Sequence, residues 1–175
     1  MTQPTKSALP NSAPEEIAFC PLCGSSMHTE MRFDKPRRAC SECGYVHFTD
    51  PKVGVGVLVV EEGRVLLVRR AVDPELGKWS IPAGYLDRGE DPRKTAVREA
   101  REETGLEVAV NGLVDVYYNP PEQGGASIFI LYRAKLIGGE MQAGDDADKV
   151  GFFGMEELPE LAFASTGSAI KSLEI

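Results

Sequence analysis

The chain has 175 residues, 42% of them hydrophobic and 26% charged, and carries a formal net charge of −8. That length suits one ordinary domain with a small appendage, and that composition belongs to folded chains rather than to disordered or membrane ones. The acidic balance argues against general nucleic-acid affinity, which relies on Lys and Arg replacing phosphate counterions, so no nucleic-acid partner is expected.

Residues 1–17 are rich in Ser, Thr and Pro and hold a single Lys. Such a stretch cannot build a core and is expected to be a disordered tail. It lacks both the apolar run of a secretory signal and the Arg-rich pattern of an organelle transit peptide, so a cytoplasmic location is expected. The longest apolar run, VGVGVLVV at 53–60, falls well short of the roughly 20 residues that cross a bilayer, and no membrane partner is expected.

Residues 18–50 contain all four cysteines: Cys20 and Cys23, then sixteen residues, then Cys40 and Cys43. This is the spacing of a tetrahedral zinc site. Gly24 and Gly44 follow the two pairs directly, as suits a tight knuckle whose backbone N–H groups turn toward sulfur. Two disulfides would need an oxidising compartment that nothing in the sequence indicates. Four thiolates leave no open coordination position, so the Zn2+ is expected to be structural. His28 and His47 are then surface or packing residues.

From 51 to 175 the pattern becomes α/β. The runs VGVGVLVV and RVLLVRR read as two strands joined by the turn EEGR, with Gly63 supplying the special backbone angles of a tight hairpin. KWSIPAGYLDRGED reads as a loop-rich passage. It leads into a helix with Asp91 as N-cap, Pro92 at the first helical position and Gly105 at the end. Ala96, Val97 and Ala100 are its expected buried side, and Glu99, Glu102 and Glu103 share a neighbouring face.

That carboxylate face is costly unless something compensates it. Arg98 and Glu102 are spaced for an ion pair, but Glu99 faces both Glu102 and Glu103, and like charges at that spacing cost roughly 0.2–0.5 kcal/mol each. All three also stand in the C-terminal half of the helix, where its dipole disfavours anions. A divalent cation turns both penalties into a binding site, and hard oxygen donors without His or Cys point to Mg2+ or Mn2+.

From Gly84 to Leu106 the sequence GYLDRGEDPRKTAVREAREETGL matches the Nudix box, G-x5-E-x7-R-E-U-x-E-E-x-G-U, at every fixed position. Those positions are Gly84, Glu90, Arg98, Glu99, Glu102, Glu103 and Gly105, with Ala100 and Leu106 at the apolar sites. The resemblance runs from Lys52 to near the C-terminus, and the cysteine segment resembles the zinc ribbon that precedes the Nudix domain in one subgroup. It implies an α/β/α sandwich with a mixed sheet. The implied reaction is metal-dependent hydrolysis of a nucleoside diphosphate linked to another group.

By that resemblance Glu99, Glu102 and Glu103 would bind the metal ions. Arg98 would hold and orient these carboxylates, Glu90 would support the same network or touch a metal, and Gly84 would let the loop backbone approach helix and substrate. The activating base would be Glu102 or Glu103, or else Asp146 from the acidic loop GEMQAGDDADKVGFF. Arg69 and Arg70 could meet phosphates. Tyr117, Tyr118 and Phe153 are candidates to stack on an adenine or flavin ring, and Trp79 is expected to be packing.

For the substrate, relatives acting on ADP-ribose often carry a proline about fifteen residues beyond the box, which is Pro121 here. The NADH-cleaving subgroup has a comparable cysteine segment, but its S-Q-P-W-P-F-P-x-S array is missing from this chain, which ranks NADH second. The closer resemblance is to shorter ribbon-bearing enzymes acting on ADP-ribose and FAD with release of AMP, and a homodimer is implied by the same resemblance. A different class, a ribbon-bearing ligand sensor or nucleic-acid-binding regulator without catalysis, would tolerate substitutions in the metal glutamates, and none is substituted.

Overall fold

The computed structural model describes residues 17–120 and 125–173. The expected tail, apart from Ile17, and Pro121 lie outside the described residues. The chain forms two compact units that divide between Asp50 and Pro51.

The first unit is a β-hairpin, β1 (His28–Arg32) and β2 (Lys35–Ala39), with the cysteine pairs at its two sides. Phe33 and Asp34 take positive φ at the two-residue turn, the geometry whose twist matches the flanking strands. Among the described residues its buried cluster is Cys20, Met27 and Cys40, with Ile17 and Tyr45 packed against them, and Ala39 is buried as well. So small an apolar core needs a further tie to hold its shape.

In the second unit β3 (Val53–Glu61) and β4 (Arg64–Arg70) form the expected hairpin, with Glu62 and Gly63 at positive φ in its turn. The passage read as loop contains two short strands, β5 (Trp79–Ser80) and β6 (Ala83–Tyr85). They form because neighbouring edges are open: β5 pairs with β4 and β6 with β3. Then follow helix α1 (Pro92–Thr104), strands β7 (Leu106–Tyr118), β8 (Ile128–Gly139) and β9 (Ala147–Gly154), and helix α2 (Ala164–Lys171).

The seven strands make one mixed sheet ordered β5-β4-β3-β8-β7, with β6 added on β3 and β9 on β4. Among the pairings between these strands β3–β8 is the parallel one, Val53 opposite Ile128 through Val59 opposite Ala134. Successive strand residues point to opposite faces. Accordingly Val55, Val57, Val59 and Leu66 pack with Ala96 and Ala100 of α1, whereas Leu58, Val65 and Leu67 pack with Ala169 and Ile170 of α2. A helix on each face buries β3 on both sides, which is why its sequence is a continuous apolar run instead of an alternating one.

Candidate active site and metal centres

Helix α1 carries the acidic residues and its ends fix their position. The Asp91 side chain accepts the Arg93 N–H at 2.9 Å, and Gly105 closes the helix at φ 70° with its N–H on Arg101 O. Beyond that cap, the segment after β8 folds back on the helix: Gln142 N–H donates to Thr104 O at 2.8 Å and Gly144 N–H to Glu103 O at 3.2 Å. These bonds satisfy carbonyls that a helix end otherwise leaves unpaired. They also set Asp145 against the acidic face of α1.

The outcome is a set of hard donors. Carboxylate oxygens of Glu99, Glu102 and Asp145 lie within 4.8 Å of one another. Octahedral Mg2+ with bonds of about 2.1 Å holds its ligand oxygens roughly 3–4.2 Å apart, so the set fits such an ion. Asp145 is the member that sequence reasoning missed. Its neighbour Asp146 is the residue the sequence pointed to, as a candidate base and not as a metal ligand, and both line the cavity below.

Glu99 and Glu103 are buried, whereas Glu102 is exposed. Arg98 Nη1 lies 2.9 Å from Glu99 and donates to Glu102 Oε2 at 2.8 Å, while its Nη2 reaches Glu90 Oε2 at 3.3 Å. Glu90 Oε2 also accepts from Thr95 Oγ1 at 2.9 Å and from the Asp87 N–H at 3.1 Å. Those bonds hold its carboxyl below the usual range, the Asp87 amide contributing most. Glu90 therefore stands behind Arg98, and Arg98 bridges it to the acidic face.

Glu103 lies outside the three-oxygen set, and its Oε2 accepts the Ala83 N–H at 2.9 Å. Burial pushes its carboxyl up to about 8, against that amide, with further upward pressure from Glu99 and Asp146. Burial likewise raises Glu99, opposed by Arg98. Carboxyls raised by burial beside a cavity are characteristic of functional sites.

Beside them opens a cavity of about 380 Å³. Arg98, Glu99, Glu103, Asp145 and Asp146 line its acidic side, and Gly84, Arg70, Phe129, Phe163, Ser165 and Thr166 are among its other walls. Arg69 and Arg70, adjacent at the end of β4, diverge across a register shift in the β4–β9 pairing. Arg70 reaches the cavity, whereas Arg69 forms two 2.7 Å hydrogen bonds with Asp148 and stays outside it. The structure does not bring Tyr118 or Phe153 to the cavity either. Tyr118 is exposed, and Phe153 packs edge-on against Trp79 at 4.7 Å, while Tyr117 leans on Phe129 in the core.

The aromatic residues that do line the cavity are Tyr85, Phe129 and Phe163. A signal for Phe129 was present in β3: a Cβ at Gly56 would come 2.9 Å from the Phe129 ring. The small residues of the G-x-G run thus make room for a ring on the neighbouring strand.

In the first unit, the four cysteine sulfurs lie within 4.8 Å of one another, with Cys20 to Cys43 and Cys23 to Cys40 both at 3.5 Å. Zinc–sulfur bonds of about 2.3 Å in a tetrahedron put sulfurs roughly 3.8 Å apart, so the cluster fits Zn2+. The two knuckles repeat one geometry: Gly24 N–H donates to Cys20 O at 2.9 Å and Gly44 N–H to Cys40 O at 3.0 Å, both glycines at φ near 75°. Hydrogen bonds from Ser25 draw the Cys23 thiol down to about 6. His28 and His47 take no part in the cluster.

A model of the NUDIX domain matches residues 50–172. Among solved structures, a NUDIX hydrolase from Nitrosomonas europaea superposes with a TM-score of 0.80 at 34% identity, covering 89% of each chain. An ADP-ribose pyrophosphatase from Methanocaldococcus jannaschii is 38% identical over 120 residues, 68% of this chain and 69% of that protein. An NAD-capped RNA hydrolase, NudC, from Stutzerimonas stutzeri is 30% identical over 152 residues, 82% of this chain but only 50% of its own length. With the box glutamates Glu99, Glu102 and Glu103 on α1, helices on both faces of a mixed sheet and a family match over most of its length, the chain belongs to the Nudix family and is a Nudix hydrolase.

Proposed function

We propose that the protein hydrolyses the diphosphate of a nucleoside diphosphate derivative, ADP-ribose or FAD, releasing AMP with Mg2+ or Mn2+ held by the α1 carboxylates. The observation that carries this reading is the meeting of Glu99, Glu102 and Asp145 at one point beside a cavity that also contains Glu103. A divalent ion bound there would neutralise charge on the phosphoryl oxygens and make water more acidic. The chain's own groups supply the rest. Arg98 keeps Glu99 and Glu102 together, the Ala83 amide holds one oxygen of Glu103, and that carboxylate takes a proton from the attacking water, with Asp146 beside it. Adenine or flavin has Tyr85, Phe129 and Phe163 as aromatic neighbours, and Arg70 is the guanidinium on the cavity wall.

ADP-ribose is favoured by the name of the Methanocaldococcus jannaschii relative, and the residues that match it cover most of its length. NADH or an NAD-capped end is the second reading. It is favoured by the NudC relatives, whose 152-residue match covers 82% of the chain, and opposed by the missing S-Q-P-W-P-F-P-x-S array. Within this proposal the cysteine cluster is a structural zinc ribbon, the working form is a homodimer in the cytoplasm, and no nucleic acid is engaged.

The deciding experiment assays the purified protein with Mg2+ and with Mn2+ against ADP-ribose, FAD, NADH and NAD-capped RNA, resolving products by chromatography. AMP from ADP-ribose or FAD supports the proposal. Turnover of NADH or capped RNA alone would transfer the assignment to the second reading, and binding of all substrates without turnover would favour the sensor class.

A further inference from the structure

Strand β7 ends the sheet on one side. It pairs with β8 along its inner edge, and among the described residues no strand pairs with its outer edge. A long free edge presents a row of backbone donors and acceptors, which is a template for another strand. Leu113, Val116 and Tyr118 on this strand are 60%, 52% and 73% exposed. From Val108 to Tyr118 the only charged residue is Asp115, in a chain whose net charge is −8. A charge-poor apolar strand that ends in tyrosine has the composition of an interface core and not of a solvated edge.

The pairing register defines the partner that fits. Val108, Val110, Leu113, Val116 and Tyr118 stand opposite Leu136, Ala134, Tyr132, Ile130 and Ile128, alternate residues of β8, so the five share one face. Val108 and Val110 pack in the cluster beneath α1, and the rest of the row is left exposed. Two bulges space the row, one between Val110 and Gly112 and one between Leu113 and Asp115. Leu113 therefore has face neighbours three and five residues before it and three and five after it. A strand of regular period 2 cannot follow that spacing, and bulges blunt an edge against chance pairing. A second β7 running antiparallel can, because each bulged interval of one copy meets a bulged interval of the other.

The remaining residues agree with this register. With Leu113 of both copies on a twofold axis, Val110 meets Val116, Val108 meets Tyr118, Asn111 meets Asp115 and Glu107 meets Asn119. Each carboxylate then faces a carboxamide that can donate to it, and no like charges are opposed. Gly112, beside the axis, has open space where a Cβ would stand, so a second backbone can approach there.

We propose that β7 is a homodimer seam, at which two copies join edge to edge about a twofold axis at Leu113 and form one continuous sheet. The seam rests on the homodimer of the reading above and is independent of the hydrolytic chemistry. Asn119 lines the cavity, so the seam brings Glu107 of the second copy to the cavity's rim.

Sedimentation of the full, zinc-containing chain over a range of concentrations is the first test. The native chain should be a dimer. Leu113→Lys places two ammonium groups together on the axis and should raise the dissociation constant by about tenfold or more. Cross-linking then tests the register, with oxidised glutathione as electron acceptor. Opposed strand residues have Cα atoms about 4.5–5.5 Å apart, within disulfide range, so Leu113→Cys should give a covalent dimer on a non-reducing gel. The two copies of an exposed Ala109→Cys would stand roughly 26 Å apart, and that variant, like the native chain, should not cross-link. A dimer that Leu113→Lys leaves intact, or equal cross-linking of the two cysteine variants, overturns the seam and leaves the homodimer in place. A monomeric native chain overturns both and gives the strand to a different partner. Dimerisation through Leu113 without turnover of any diphosphate would keep the seam and remove the hydrolase reading.

Discussion

The carboxylate of Glu99 fills the place where a Cβ at position 84 would stand. Gly84 lies on β6 opposite Val55 of β3, so the sheet fixes its backbone, and Glu99 is held from the other side by Arg98 at 2.9 Å. The first glycine of the box and its central glutamate are therefore one steric unit. Gly84→Ala is expected to fold, because the displaced atoms are the far end of a flexible side chain, with a loss of about 1–3 kcal/mol from overpacking. Glu99 must move, and Mg2+ affinity should fall by about tenfold or more through lost ligand geometry. Calorimetric Mg2+ titration checks this, and native affinity in the variant would refute the steric link.

Glu103 gives the metal-free protein a pH dependence of known sign. Its carboxyl is raised from 4.5 to about 8, so between these values the folded chain keeps a proton that the unfolded chain has released. Stability is then greatest below the lower value and declines as pH rises through the upper one, by at most about 1.4 kcal/mol per pH unit for one group. Thermal unfolding without Mg2+ should show the decline and Glu103→Gln should flatten it, while kcat of that variant falls by about 10²–10⁴ through loss of the base. A Gln variant with the native slope would show that another group is responsible.

Asp145 and Asp146 are adjacent but not equivalent. Asp145 joins Glu99 and Glu102 within 4.8 Å, and Asp146 does not belong to that set. Asp145→Asn should therefore raise the Mg2+ concentration needed for half-maximal activity by about tenfold, as for a lost charged ligand. Asp146→Asn should leave that requirement near the native value. Reversed responses in a Mg2+ titration of activity would exchange the two assignments.

Cys20→Ser removes one of four thiolates from a unit whose buried apolar cluster is small. Zinc measured by elemental analysis should drop from one equivalent, and the hairpin should lose its protection from proteolysis. Full zinc content and unchanged protection in the variant would show that the metal does not hold this unit together.

The readings that the sequence supported were local or depended on fixed spacing. Asp91, Pro92 and Gly105 bound α1 through short-range capping, and the Glu62-Gly63 turn joins two strands through backbone angles that neighbouring residues prescribe. The box glutamates stand three and four residues apart, so one helical turn brings them together wherever the helix lies. The cysteine pairs behave alike, because a knuckle is closed by residues adjacent to it. Arg69 and Arg70 show where this kind of reasoning stops: a register shift sends one to Asp148 and the other into the cavity. Tyr118, Phe153 and Phe129 differ for the same reason, since a strand residue's surroundings depend on which strand and helix cover its face.

The sequence by itself determined an acidic chain with a four-cysteine segment and a helix crowded with carboxylates, because composition and local periodicity need no distant partner. Tertiary structure alone decided that Glu103 is buried against the Ala83 amide, that Asp145 completes the acidic set, and that the start of α2 lines the same cavity. Each of those relations joins segments far apart in the chain. Sheet pairing and packing of two helices on opposite faces create them, and no short window of sequence encodes such a contact.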